Sequence, residues 1–200
     1  MALATGRVAG LKALTRWPRE GRELFPDQFL PALGIRERQA LGRFVLQTSL
    51  RQFAQWQKMG LDLFLSINVT PEEIDSPGFT DTFFSILITQ PGIPPETLVL
   101  EIGEILEQDV ALGHLQRLRS AGVKIALDDV GSAYASLLRL KNLPIDKIKI
   151  DQGFLLVYVT IVLGMRELRR RNTDCEQLLR KDTKIFINYK VTTHFLEHYP

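Results

Sequence analysis

The amino-acid sequence predicts an α/β fold, a partial TIM-like (β/α) barrel. Three observations carry that expectation. Short apolar runs alternate with longer segments whose apolar residues recur at helical spacing, the pattern of parallel strands joined by crossover helices. The runs read as apolar along their length, as strands covered on both faces do. Four successive runs end in a carboxylate, an amide or a lysine, and the C-terminal rim of a parallel barrel is where an active site forms.

Residues 8–14 read as the first strand, and Pro26, Phe29 and Pro31 mark a turn-rich entry to the first long helix. That helix covers residues 35–59, with Leu41, Phe44, Val45, Phe53 and Trp56 at helical spacing and Gly60 at its end. Residues 61–69 form a strand closed by Thr70-Pro71, and residues 79–88 a helix. Pro91, Pro94 and Pro95 punctuate a loop. Next come a strand at 97–102, a helix at 110–120, a strand at 122–127, a short helix at 133–140 and a strand at 145–150.

Composition bounds the function classes. At 200 residues, 45% hydrophobic and 24% charged, the chain fits one ordinary globular domain. A net charge of +2 gives no electrostatic case for a nucleic-acid polymer as partner. The basic excess sits in residues 155–200, with 8 Lys/Arg against 5 Asp/Glu. A lone cysteine, Cys175, excludes an internal disulfide and fits a reducing compartment. No leader signature is visible, and the longest apolar run, 154–165, is shorter than the roughly 20 residues a membrane span needs. A cytoplasmic location without a membrane span is expected.

Asn68, Glu101, the pair Asp128 and Asp129, and Lys149 with Asp151 all fall at strand ends. Asn68, Glu101 and Asp128 offer only oxygen donors, which suit Mg²⁺ or Mn²⁺ rather than zinc. Adjacent aspartates can serve two neighbouring ions that activate water and stabilise the leaving oxygen of a phosphodiester. Lys149 would then stand near the water or phosphate as a fixed cation. The same residues also admit an ion-paired rim in which Lys149 neutralises an aspartate, and Asp129 alone would suit a helix N-cap.

The segment Leu127 to Leu137 (LDDVGSAYASL), followed by Leu143 to Asp151 (LPIDKIKID), resembles the EAL domain family. Three further blocks agree in order: Leu11 to Trp17, Ser66 to Pro71 and Leu100 to Glu104. The resemblance runs from about Gly10 to Phe154 and implies a modified TIM barrel that opens cyclic di-GMP to linear pGpG with Mg²⁺ or Mn²⁺. Carried over by position, it implies Asn68, Glu101 and Asp128 as metal ligands and Asp129 as the aspartate of the second metal and the mobile loop. It implies Lys149 as the lysine that orients the attacking water, with Asp151 its neighbouring acid. Glu104 matches the glutamate that anchors the loop after Asp129, and Arg16 the arginine that grips a substrate phosphate.

Three departures qualify that inheritance. The block that names the family reads Glu-Ala-Leu, whereas this chain reads Lys12-Ala13-Leu14. One unit pair at ~4 Å and an effective dielectric of ~20 is worth about 4 kcal/mol, so an ammonium there opposes a dication unless Lys12 swings away or loses its proton. Val130 and Ala133 stand where the family usually has Phe and Gly in the mobile loop. Residues 155–200 offer no counterpart to the later catalytic glutamate or glutamine. Residues 1–154 thus read as an incomplete EAL-like domain and 155–200 as a tail without resemblance, as a truncated or frameshifted gene would give. In that tail Arg169, Arg170 and Arg171 read as a solvated helix face, and His194 and His198 lack a third ligand.

The expected function is a cyclic di-GMP module with impaired or absent hydrolysis. Two alternatives stay open: an active metal-dependent phosphodiesterase producing pGpG, and a protein-interaction remnant without nucleotide. A sheet left open at its edges would invite a homodimer or another protein partner.

Overall fold

A computed structural model describes residues 8–103, 109–130, 143–150 and 187–192, with the backbone alone for residues 109, 129, 130, 150 and 187–192. In chain order the elements are β1 (Gly10–Arg19), β2 (Arg22–Leu24), α1 (Pro26–Phe29), α2 (Ile35–Lys58), β3 (Phe64–Val69), α3 (Pro71–Ile74), α4 (Phe79–Ile88), β4 (Leu98–Ile102), α5 (Asp109–Ser120), β5 (Lys124–Val130), β6 (Lys147–Ile150) and β7 (Ile187–Thr192). The helix expected at 133–140 lies outside the described residues.

Strands β1, β3, β4, β5 and β6 pair in that order, all parallel, which is the barrel-like sheet the alternating pattern predicts. The other edge of β1 is not open. It pairs in parallel with β7 from Leu11 to Arg16, so part of the tail that reads as uninformative joins the sheet. β2 folds back antiparallel on β1 through a two-residue turn, Glu20-Gly21, with φ 51° and 73°. Two left-handed positions in a row match the twist of the strands they connect, and glycine supplies one of them without strain.

The runs are not apolar on both faces. Partners in a parallel pair point the same way, so the register sorts side chains into two sheets of contacts. Leu11, Ala13, Leu65, Ile67, Leu98, Leu100, Ile102, Ile125 and Leu127 share one face and are buried. Leu50 and Phe53 of α2, Phe83 of α4, and Leu115 and Leu118 of α5 join them in one core, recurring at helical spacing as amphipathic helices require. The opposite face carries Lys12, Ser66, Asn68, Glu101, Asp128, Lys147 and Lys149.

Two clips set the strands' heights. Thr70 caps α3 at the end of β3: its Oγ1 accepts from the Glu73 N–H at 3.4 Å, while Glu73 Oε2 accepts from the Thr70 N–H at 2.7 Å. Gly42 of α2 lies so close that a Cβ there would collide with the Glu73 carboxylate. Asp146, just before β6, accepts from the Ile125 N–H at 2.9 Å and from Arg119 Nε at 3.0 Å. Its own N–H donates to the Ile125 carbonyl at 2.8 Å. Those bonds fix the register that carries Lys149 to the rim. Among the described residues no helix is long and apolar enough to cross a membrane.

Candidate functional site

The polar face converges on one buried carboxylate. Glu101, on β4, is 1% exposed and stands in register with Asn68 on β3 and Ala126 on β5. Lys12 pairs with Ser66, one inward position below Glu101, and Asp128 lies one inward position above Ala126. A lysine stem is long enough to cross that step, and the small Ala126 beside Glu101 adds little bulk in the way.

Lys12 Nζ lies 2.6 Å from Glu101 Oε2 and 2.9 Å from Asp128 Oδ2. Both carboxylates touch one nitrogen, so their oxygens are no further apart than the sum of those two distances. That is the spacing of two carboxylates that share one cation. Lys149 Nζ contacts the other Glu101 oxygen, Oε1, and stands 3.7 Å from Asp128 Oδ2. Ser66 Oγ donates to Glu101 Oε1 from the buried level below. The two ammonium groups balance the two carboxylates.

Burial pulls the Lys12 ammonium toward deprotonation, but the hydrogen bond and charge of Glu101, then those of Asp128, outweigh it and raise its pKa. The group is charged at neutral pH. Burial pushes Asp128 up, yet its hydrogen bonds with Glu101 and Lys12 and the charges of Lys12 and Lys149 hold it below the ordinary carboxylate range. Among the arrangements open to Lys12, the structure shows the one in which its ammonium lies between the two carboxylates. It sits between the carboxylates as a cation.

Asn68 is exposed at the same rim. Arg16, also on β1, donates from Nη1 to the Thr15 carbonyl at 2.7 Å, and its guanidinium carbon lies 4.4 Å from the centre of the Phe25 ring. Asp129 is placed in β5 by its backbone alone, and Glu104 and Asp151 lie outside the described residues. Ser66 was not anticipated. Its position two residues before Asn68 on one strand was the available signal, because alternate residues share a face. Among the described residues no group of three or more His, Cys, Asp or Glu is arranged to hold a metal. A partly open pocket of about 50 Å³ is lined by Asn68, Glu73 and Phe83 but by neither Glu101 nor Asp128, and it is far too small for a dinucleotide.

Comparison with known proteins agrees with this architecture. The sequence matches the EAL domain family over residues 1–161. It is 34% identical over 160 residues to the bifunctional diguanylate cyclase/cyclic di-GMP phosphodiesterase MucR of Pseudomonas aeruginosa, covering 75% of this chain and 23% of that protein. It is 37% identical over 161 residues to a cyclic di-GMP phosphodiesterase of the same organism, covering 76% of this chain and 27% of the relative. An uncharacterized protein of Mycobacterium bovis is 40% identical over 159 residues, and there the match spans 25% of the relative's length and 76% of this chain. The chain thus spans about a quarter of the curated relatives it matches. Among solved structures, the PaMucR phosphodiesterase in complex with c-di-GMP superposes with a TM-score of 0.68 at 30% identity, over 82% of this chain and 72% of that one. An EAL domain protein from Listeria monocytogenes superposes with a TM-score of 0.65 at 25% identity, over 90% of this chain and 78% of the other. Five sequence blocks in order, a parallel sheet that brings Lys12, Asn68, Glu101, Asp128 and Lys149 to one face, and a match over most of the length have one explanation: the chain belongs to the EAL domain family.

Proposed function

We propose that this chain is a cyclic di-GMP-recognising EAL domain that does not hydrolyse its ligand at an ordinary enzymatic rate. One observation carries the reading: the Lys12 ammonium lies between Glu101 and Asp128, within 2.6 and 2.9 Å of their oxygens.

Asn68, Glu101 and Asp128 have the oxygen chemistry that suits Mg²⁺ or Mn²⁺. The residues around them do not fit such an ion. A divalent cation is attracted by uncompensated carboxylates, and here Lys12 and Lys149 already neutralise both. An ammonium held charged at that spot repels a dication by several kcal/mol at ~4 Å and an effective dielectric of ~20. Arg16, on the same face of β1, brings a guanidinium suited to phosphate oxygens. Recognition of the dinucleotide therefore draws on Arg16 rather than on a divalent ion, and the step that requires an activated water lacks its activator.

Calorimetric titration of cyclic di-GMP in EDTA and in Mn²⁺ tests this, beside chromatographic assay of pGpG. The expected result is the same affinity in both buffers and little or no product. Binding that appears only with Mn²⁺, or turnover near 1 per second, the lower end of the ordinary enzyme range, would refute the reading. Absence of binding in both buffers would leave the protein-interaction role instead.

A further inference from the structure

We infer that Phe25 is a positioning residue for ligand recognition: its ring holds the Arg16 guanidinium in place for a ligand phosphate. This rests on the proposed recognition of cyclic di-GMP.

Arg16 shares the face of Lys12 on β1 and lies four residues nearer the C-terminal rim. The antiparallel register of β1 and β2 pairs Arg19 with Arg22 and Trp17 with Leu24, and its next step sets Arg16 opposite Phe25. The Phe25 backbone is held from both sides. Leu24 before it is in the β2 ladder, and after it the Phe25 N–H donates to Gln28 Oε1 at 2.8 Å while its carbonyl accepts from the Gln28 N–H at 3.0 Å. Phe29, on the same short helix, is 1% exposed and packs edge-on against Trp17 with ring centres 6.0 Å apart. The platform beneath Phe25 is therefore rigid.

The ring itself is 47% exposed, so it adds little to the core. What it does contact is Arg16, whose guanidinium carbon stands 4.4 Å above the ring centre. The contact is an attraction between a delocalised cation and the negative face of the ring. One donor is fixed at 2.7 Å on the Thr15 carbonyl. The ring contact and the Thr15 hydrogen bond both restrict the side chain's rotational freedom, which an unsupported arginine would have to lose on binding phosphate.

A double-mutant cycle on cyclic di-GMP affinity tests the inference, using Phe25→Ala, Arg16→Ala and the pair, with Phe25→Tyr as the conservative variant. Phe25→Ala should weaken binding about two- to fivefold, the yield of an exposed cation–π contact, and leave the melting temperature unchanged. Phe25→Tyr should retain wild-type affinity. In the Arg16→Ala background, removal of Phe25 should change nothing further. A second readout needs no nucleotide: ring-current shielding should move the Arg16 Nε–H proton upfield in wild type and not in Phe25→Ala. Equal weakening with and without Arg16, no weakening at all, or an unshifted Nε–H would each overturn the assignment. If the wild-type chain binds no cyclic di-GMP, the functional reading falls and takes the ligand role of Phe25 with it, and the proton shift still decides whether the ring holds the guanidinium.

Discussion

Lys12→Glu should convert a site that ignores divalent cations into one that depends on them. In the wild type, Lys12 Nζ contacts Glu101 and Asp128 at 2.6 and 2.9 Å, with 18% of the lysine side chain exposed. At those distances and an effective dielectric of ~20, each contact carries about 6 kcal/mol of Coulomb attraction before the cost of desolvation is subtracted. The substitution turns both attractions into repulsions and leaves Lys149 facing three carboxylates. Breaking a buried pair costs about 3–5 kcal/mol. For a chain of this size each kcal/mol moves the melting temperature by about 2–4 °C, so Lys12→Glu in EDTA should melt at least about 6 °C below wild type. Mn²⁺ at a hundred times its dissociation constant should return about 2.7 kcal/mol. The assay is thermal unfolding of both proteins in EDTA and over a Mn²⁺ series. Wild type should shift by no more than about 1 °C, and the variant should recover most of its loss. Lys12→Gln, which removes the cation without adding a carboxylate, serves if the glutamate variant fails to fold. A wild-type protein stabilised by Mn²⁺ as strongly as the variant would show that Lys12 leaves the carboxylates freely, and the reasoning would collapse.

Three further outcomes follow from the packing. Gly42→Ala should destabilise by about 1–3 kcal/mol in urea, because the new methyl displaces the Glu73 carboxylate from its cap. Burial, aided by the charge of Glu72, pushes Glu73 up from 4.5 to about 6 against its Thr70 hydrogen bonds and the charge of Arg43. Its folded pKa lies above its unfolded one, so this contribution is fully present below the unfolded value and is lost as pH rises through that window. The loss is at most about 2 kcal/mol. Glu73→Gln should remove that slope, and equal urea midpoints for the two proteins at pH 4 and pH 7 would count against it. Asp146→Ala leaves the Ile125 N–H and Arg119 without their acceptor, and should cost about 1–3 kcal/mol with faster amide exchange at Ile125. Unchanged exchange there would remove Asp146 from the register of β6.

The order of strands and helices was legible because each long helix carries its own apolar stripe. Residues 79–88 need no tertiary information to read as a helix, and α4 covers that range. Short elements lack such redundancy. The three residues of β2 and the four of α1 gain their stability from the hairpin turn and from Trp17 and Phe29, which are partners only after folding. α3 was readable in principle, since Thr70-Pro71-Glu72-Glu73 is a capping-box sequence with proline at the first helical position. β7 offered a period of two, Ile187, Tyr189 and Val191 alternating with Asn188, Lys190 and Thr192. One such run of six residues does not say which strand it joins.

The fate of Lys12 shows why residue identity and residue position answer different questions. Identity established that an ammonium stands in a block where the family has a carboxylate. It left three states open: turned away, neutral, or lodged between the acids. The choice depends on reach and on height within the sheet. Lys12 starts at the level of Ser66, below Glu101, so its stem points past a buried serine toward the acids rather than out over the rim. Lys149 descends from the level above and meets Glu101 from the other side. Set below the acids, Lys12 reaches both carboxylates while 18% of its side chain stays exposed. The cation is retained because β1 and β3 pair in one register, a property no single residue in either strand encodes.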